Sequence, residues 1–217
     1  MKLTAVVAVA VAATVLAVPP SLAQGDRWTL RGRAVAVLPD DDSDTVGGTG
    51  TSIAVDGSFG AELALTYRFR PSLSLELGAA FVPLDLATEG GQAPDLEVGS
   101  IDLMSAALTL QYRFQTTGRV DPYLGIGMVF GRISGYSITP DMQGVGLADI
   151  TFSDIVRLFT QFGVDVEIGR GWMLNADVRY APMTTQMNLI TTAGTSLDKI
   201  ALQINPVMLS LGLARSF

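Results

Sequence analysis

"LALTYRFRPSLSLEL", Leu63 to Leu77, is apolar at every second position. Leu63, Leu65, Tyr67 and Phe69 lie on one side of the alternation, and Ala64, Thr66, Arg68 and Arg70 on the other. After Pro71 the pattern resumes, with Leu73, Leu75 and Leu77 against Ser74 and Glu76. A period of two is that of a β-strand, whose successive side chains point to opposite faces. The apolar face meets either the core of a water-soluble sheet or the hydrocarbon of a bilayer, and the rest of the chain decides between them.

The 217 residues suffice for one sizeable domain. Charged residues are 16% of the chain, against about a quarter in an ordinary soluble domain. Mean hydropathy is +0.39. The net charge of −7 argues against a nucleic-acid partner. The absence of cysteine removes disulfides, a lipoprotein anchor, thiol nucleophiles and cysteine-bound metals. The absence of histidine removes the usual general base, the Ser-His-Asp triad and the commonest zinc ligand. No catalytic, cofactor-binding or metal-binding residue is therefore assigned, and the chain is not expected to be an enzyme.

The first residues, "MKLTAVVAVAVAATVLAVPPSLAQ", join Lys2 to an apolar run from Ala5 to Val18 and a small-residue Ser21-Leu22-Ala23 site. These features read as a secretory signal peptide over 1–23, cut after Ala23, leaving a barrel domain over 24–217. Beyond it no stretch approaches 18 consecutive apolar residues, so spanning helices are not expected.

Eight segments alternate with period two: Trp28 to Leu38, Ser58 to Arg70, Ser72 to Pro83, Met104 to Phe114, Pro122 to Gly131, Thr160 to Gly169, Trp172 to Tyr180 and Lys199 to Phe217. The last changes parity near Asn205-Pro206, which predicts a bulge. The connections alternate between long (about Pro39 to Gly57, Leu84 to Asp102, Ser134 to Asp154, Pro182 to Asp198) and short ("RPS", "QTTGRVD", "GRG"). Long loops at one end and tight turns at the other are the pattern of an outer-membrane barrel. The third long connection holds "LADITFSDIVRLF", which can form a short helix. "DDDSD", Asp40 to Asp44, reads as a solvated acidic turn rather than a calcium loop, because its spacing is not that of an EF-hand. The glycines of "GIGMVFG" are expected to leave lumen space or ease strand curvature.

Aromatic residues gather beside the short turns: Trp28, Tyr67, Phe69, Tyr112, Phe114, Tyr123 and Trp172, with Phe217 at the end of the chain. A girdle of amphipathic rings at the periplasmic headgroup level is expected from this placement. A second set, Phe81, Phe130, Tyr136 and Tyr180, lies toward the long loops. The apolar faces therefore meet lipid and the polar faces a barrel interior. An unpaired charge on the lipid face costs about 2–4 kcal/mol at mid-depth. The expected interior charges are Arg31, Arg33, Glu62, Arg68, Glu76, Arg113, Asp165, Glu167, Asp177 and Arg179. Both signs occur, so they can pair. An interior of eight strands admits only side chains or one small ligand. The charges can thus form either a polar constriction or a sealed ion-pair network.

Several stretches resemble the OmpW family of small outer-membrane barrels: "WTLRGRAVAVLPDDDS", "LALTYRFRPSLSLEL" with Glu76, "VDPYLGIGMVF", "QFGVDVEIGRGWMLNADVRY" and "INPVMLSLGLARSF". The resemblance covers nearly the whole chain after residue 23, in order. It implies an eight-stranded antiparallel transmembrane β-barrel in a bacterial outer membrane, in contact with outer-membrane lipid and lipopolysaccharide. It further implies a narrow channel for passive uptake of small hydrophobic molecules, which pass a polar constriction made by the charges above and leave sideways through the wall. A lateral opening is expected beside Pro83 or Pro182. The terminal Phe217 resembles the signal read by the barrel-assembly machinery, while Arg215 departs from the apolar residue usual near it. A sealed OmpA- or OmpX-like barrel acting through its surface loops is the alternative.

Overall fold

The computed structural model describes residues 27–38, 41–43, 52–55, 58–89, 97–138, 147–152, 154–191, 196–204 and 206–217. The signal-peptide reading of 1–23 falls outside these residues, as do Asp40, Asp44 and Asn205. The described elements are all strands: β1 Trp28–Leu38, β2 Asp41–Ser43, β3 Ser52–Val55, β4 Ser58–Arg70, β5 Leu73–Glu89, β6 Glu97–Arg113, β7 Val120–Ile138, β8 Leu147–Phe152, β9 Ile155–Gly169, β10 Trp172–Tyr180, β11 Met183–Thr191, β12 Ser196–Ile204 and β13 Val207–Ser216.

Eight of them, β1, β4, β5, β6, β7, β9, β10 and β13, pair antiparallel in a ring. Closure comes from β1 against β13, from Thr29↔Ser216 to Leu38↔Val207. The backbones of Trp28 and Phe217 also exchange hydrogen bonds, at 3.2 and 2.9 Å. Closure leaves the wall without an edge, which hydrocarbon demands because it cannot satisfy bare N–H and C=O groups. One row of partners runs Trp28, Tyr67, Leu75, Leu110, Ile126, Thr160, Tyr180, Val207 and back to β1 at Leu38. It returns ten residues further along the strand than it began, a stagger that tilts the strands and closes the barrel.

The alternation sorts the side chains as the period of two requires. Leu75, Leu77, Leu108, Leu110, Ile126 and Leu211 are exposed on the outside, while Arg31, Glu76, Gln111, Arg113 and Asp165 are buried within. Short turns join β4 to β5, β6 to β7 and β9 to β10 at one end. In the last of these, Gly169, Arg170 and Gly171 all have positive φ (114°, 54° and 76°), so the two glycines relieve a left-handed turn.

The long connections depart from expectation, because they are built largely of strand. β5 continues to Glu89, and β6 begins at Glu97 and pairs with it. Beyond the apolar band neither face meets hydrocarbon, so the alternation fades while the backbone ladder continues. "LADITF" is strand β8 rather than part of a helix: it pairs with β11, and Ile150 and Thr151 favour extended backbone. Pro182 to Asp198 is not a plain loop either, since it supplies β11 and the start of β12, which pair with each other. Asp41–Ser43 is a strand against β12, not a turn. Strands β2, β12, β11 and β8 form a second sheet, in that order. The parity change near Pro206 is therefore no bulge. It marks the step from β12 in the second sheet to β13 in the wall.

Candidate functional site

The two residues that open the site sit two apart on β1. Arg31 and Arg33 point inward, and opposite strands present carboxylates to them. Arg31 reaches Glu76 (Nη1 to Oε2, 3.1 Å) on β5 and Asp165 (Nη2 to Oδ2, 2.7 Å) on β9. Arg33 reaches Glu76 (Nη2 to Oε2, 3.0 Å) and Glu62 on β4. Glu62 also receives Arg179 of β10, whose Nη2 lies 2.9 Å from its Oε1. Arg179 is paired in turn with Asp177, Nε to Oδ1 at 2.9 Å. In the other direction Asp165 receives Arg113 at 2.6 Å, Arg113 holds Asp121 at 2.6 Å, and Asp121 holds Arg68 at 3.2 Å.

These contacts form one continuous ladder of alternating charge: Asp177, Arg179, Glu62, Arg33, Glu76, Arg31, Asp165, Arg113, Asp121, Arg68. Five guanidiniums face five carboxylates, so the ladder carries no net charge. Neutral groups tie it to the wall. Asn175 accepts from Arg33 Nε (2.7 Å) and donates to Asp165 (2.7 Å). Tyr123 donates to Asp177 (3.0 Å), Thr66 to Glu76 (2.9 Å) and Gln111 to Gln161 (3.2 Å). Space for this packing comes partly from missing side chains. A Cβ on Gly163 would stand 2.3 Å from the Tyr123 ring, and one on Gly127 would stand 2.4 Å from the Phe159 ring.

Of the ten expected interior charges, eight lie in the buried part of the ladder: Arg31, Arg33, Glu62, Glu76, Arg113, Asp165, Asp177 and Arg179. Arg68 and Glu167 do not. They share the inward parity but lie past the buried section, near the short turns. There they line a polar vestibule of about 570 Å³ together with Thr29, Arg119, Asp121 and Asp165. The side chains of Arg68 and Asp121 are 37% and 30% exposed.

Six of the seven girdle residues lie on the outer wall at the short-turn end, or beside it. Trp28 stacks on Tyr67 (centroids 4.6 Å apart) and Tyr112 meets Phe114 edge-on at 5.3 Å. Phe69 is exposed, and Trp172 lies under the Arg215 guanidinium at 5.2 Å. This cation–π contact gives Arg215 a place on the outer wall, where an apolar residue was expected. Tyr123 corrects the girdle reading. It is 0% exposed and inside the barrel, because its parity is that of Gly125 and Gly127, which face the lumen. The same parity points Asp121 inward, and it is the one ladder member absent from the expected set. Gln111, Gln161 and Asn175 also stood on inward positions. Their lack of charge hid them.

Above Arg33 and Arg179 the lumen changes character. Val35 and Val37 of β1, Val82 and Leu84 of β5 and Ile101 of β6 form an apolar cluster, with Leu103, Ile133 and Met208 against it. Phe159, 3% exposed, marks the boundary, with the Arg179 guanidinium 5.9 Å from its ring.

Among the described residues, the wall ladder is interrupted twice at this level. The β4–β5 pairing ends at Ala61↔Phe81 and resumes between β3 and β5 at Val55↔Leu86. The β9–β10 pairing ends at Thr160↔Tyr180, and among the described residues Ile155–Phe159 pair with β7 alone. Pro83 and Pro182 each lie beside one of these seams. Pairing is unbroken on the β6 side of Pro83, at Pro83↔Asp102. On the far side of Pro182, Ala181 N–H donates to the Pro206 carbonyl at 3.4 Å.

A closed, tilted eight-stranded wall, apolar outside and charged within, ringed by aromatics at one end, defines a bacterial outer-membrane β-barrel protein. The family model of the OmpW family matches residues 24–217. The chain belongs to that family. It is 29% identical over 201 residues to Outer membrane protein W of Vibrio cholerae, covering 91% of each chain. It is 26% identical over 135 residues to the dibenzothiophene metabolism operon protein PahQ of Pseudomonas aeruginosa, covering 62% of this chain and 60% of that one. Among solved structures, the outer membrane protein OprG of Pseudomonas aeruginosa superposes with a TM-score of 0.77 at 22% identity, over 89% of this chain and 97% of that one.

Proposed function

We propose that the protein admits small hydrophobic molecules from outside the cell into the outer membrane by a passive route, with no catalytic step. A solute enters the apolar upper lumen, is stopped by the charged ladder, and leaves sideways at a seam beside Pro83 or Pro182. The observation that carries this reading is the coincidence in level of three features: the apolar cluster, the top of the ladder and the two interruptions in strand pairing. A hydrocarbon gains nothing by entering a network of ten charges, eight of them buried, whereas the two unpaired seams separate aliphatic lumen from aliphatic bilayer. Kinship to a protein named for dibenzothiophene metabolism supports an apolar, aromatic-sized solute. The ladder charges serve here as a floor that turns the solute outward. Phe217, at the end of the closing strand, serves as the assembly signal, and lipopolysaccharide surrounds the upper wall.

The test is uptake of naphthalene by cells producing the protein. Cysteines at Ser58 and Leu84 bridge the β4–β5 seam when oxidised, and a second pair at Phe159 and Ala181 bridges the other. The chain has no other cysteine. Uptake that falls on oxidation and returns on reduction supports the reading. Uptake equal to that of cells lacking the protein, in every variant, refutes it. The sealed ladder itself favours a second reading, a structural barrel that acts through its outer sheet. That reading predicts no solute uptake, and a phenotype that follows removal of β11 and β12.

A further inference from the structure

Each of the three short turns carries one arginine and no acid: Arg70 beside Pro71, Arg119 just before β7, and Arg170 between Gly169 and Gly171. All three are exposed, in a chain whose net charge is −7. Arg215 joins them near the end of β13, with its guanidinium 5.2 Å from the Trp172 ring. Among the described residues none of these four arginines has an ion-pair partner.

The ladder aims two of them at lipid. Simple alternation sends Arg70 inward with Arg68. The β4–β5 register slips between them, however, so that Arg68 faces Ser74 and Arg70 faces Leu73. Direct partners share a face, and Leu73 is in phase with the exposed Leu75 and Leu77. The bulge thus turns Arg70 to the outer wall. Arg215 is the direct partner of Trp172 and Leu30, in phase with the exposed Leu211 and Leu213. The turn of Arg170 is fastened beside it, since the Ser216 N–H donates to the Gly171 carbonyl at 2.9 Å. Among the described residues Arg170 is the only non-glycine with positive φ, 54°, a conformation that a β-carbon disfavours. A glycine would close this turn without strain, so the arginine is held there against the preference of its backbone. Strain of that kind gathers at ligand sites.

The described acids at this end lie elsewhere. Asp121, Asp165 and Glu167 line the vestibule inside the mouth, and the chain terminus at Phe217 is held beside Trp28. The short turns of such barrels face the periplasm, so this rim lies in the leaflet made of phospholipid and not in the one made of lipopolysaccharide. An indole ring sits at headgroup depth, and a guanidinium stacked on it reaches the phosphates. We infer that the short-turn rim of β10 and β13 seats one anionic phospholipid of the periplasmic leaflet: its phosphate lies between Arg170 and Arg215 beside the Trp172 indole, and its chains run along Leu174, Leu211 and Leu213. A zwitterionic headgroup would bring an ammonium to two guanidiniums, so the occupant carries net negative charge, and phosphatidylglycerol is its simplest form. The proposal does not depend on what the barrel transports.

The folded barrel is reconstituted in phosphatidylcholine vesicles with Trp28→Phe, which leaves Trp172 as the reporter. Quenching by phosphatidylglycerol with brominated chains is compared with quenching by brominated phosphatidylcholine. A Leu108→Trp reporter on β6, across the barrel, serves as the control surface in a chain with both native tryptophans replaced by Phe. The expected result is a relative binding constant about two- to fivefold higher for phosphatidylglycerol at Trp172, the scale of one or two exposed ion pairs. High salt removes that preference, and the control shows none. Arg170→Gly takes away one guanidinium and relieves the turn, so it lowers the preference in a barrel at least as resistant to urea as the parent. Arg170→Gly with Arg215→Gln abolishes the preference. Equal constants at the two reporters overturn the proposal, as does a preference that survives the double variant. Loss of the preference on adding soluble peptidoglycan strands also overturns it, and assigns the arginines to the cell wall.

Discussion

The lower and upper halves of the lumen share eight strands and one period of two, yet they are filled on opposite principles. Below Phe159 the inward positions carry Arg31, Arg33, Glu62, Glu76, Arg113 and Asp165, buried and mutually paired. Above it the same strands present Val35, Val37, Val82, Leu84 and Ile101. The charged half has little to offer stability on balance, because desolvating each ion offsets much of the attraction. Its value is that it is costly to open. Aliphatic packing has no such penalty and yields to an apolar solute of similar shape. One half excludes and the other accommodates, and the change occurs within two residues of β1, between Arg33 and Val35.

The strongest way to break this contrast is to remove the hub of the ladder. Glu76 accepts from Arg31, Arg33 and Thr66. Glu76→Gln strands buried guanidiniums and should cost about 3–5 kcal/mol in urea unfolding from lipid vesicles. The wild-type barrel should be silent in planar bilayers, and this variant should show ion-conducting steps. A silent, fully stable Glu76→Gln barrel contradicts the ladder.

Placing a charge on the other side of the same strand comes next. Leu77 is 58% exposed to lipid, and Leu77→Arg should cost about 2–4 kcal/mol without any conductance. Thinning the upper half should cost somewhat less. Leu84→Ala removes a buried side chain near the rim, for about 2–3 kcal/mol, and should leave the planar bilayer silent because the ladder below is intact. Conductance in this variant would mean that the upper cluster, not the ladder, seals the lumen.

The smallest effect is expected at the mouth. Arg68 and Asp121 pair at 3.2 Å with solvent at hand, so Arg68→Gln should change stability by under about 1 kcal/mol. A loss as large as that of Glu76→Gln would extend the buried ladder to the short turns.

Much of this is legible in the sequence. A period of two over short segments sets inside from outside, because the pleat sends neighbours to opposite faces. That rule placed Glu76 inward, Leu77 outward, and nine of the ten ladder members inward. Where it failed, it failed for reasons of depth rather than side. Arg68 and Glu167 have the right parity, but parity is blind to how far along the strand solvent begins. Tyr123 was assigned by residue type to the membrane interface, although its own alternation with Gly125 pointed it inward. The helix at "LADITF" and the bulge at Pro206 came from reading local pattern where the partner strand decides. β8 is extended because β11 pairs with it, and β12 changes parity because it belongs to another sheet.

By itself, then, the sequence determined that this chain makes eight spanning strands, which face of each meets lipid, and that charges of both signs share the interior. Those are properties of nearest neighbours and of hydropathy. Only the tertiary structure decided which charges meet, since Arg31 and Asp165 are 134 positions apart and are joined by closure and by a ten-residue stagger. The same stagger inclines the rows of the outer wall and sets the two seams at the level of the apolar lumen. Register between strands is a collective choice of the closed sheet, and no single segment encodes it.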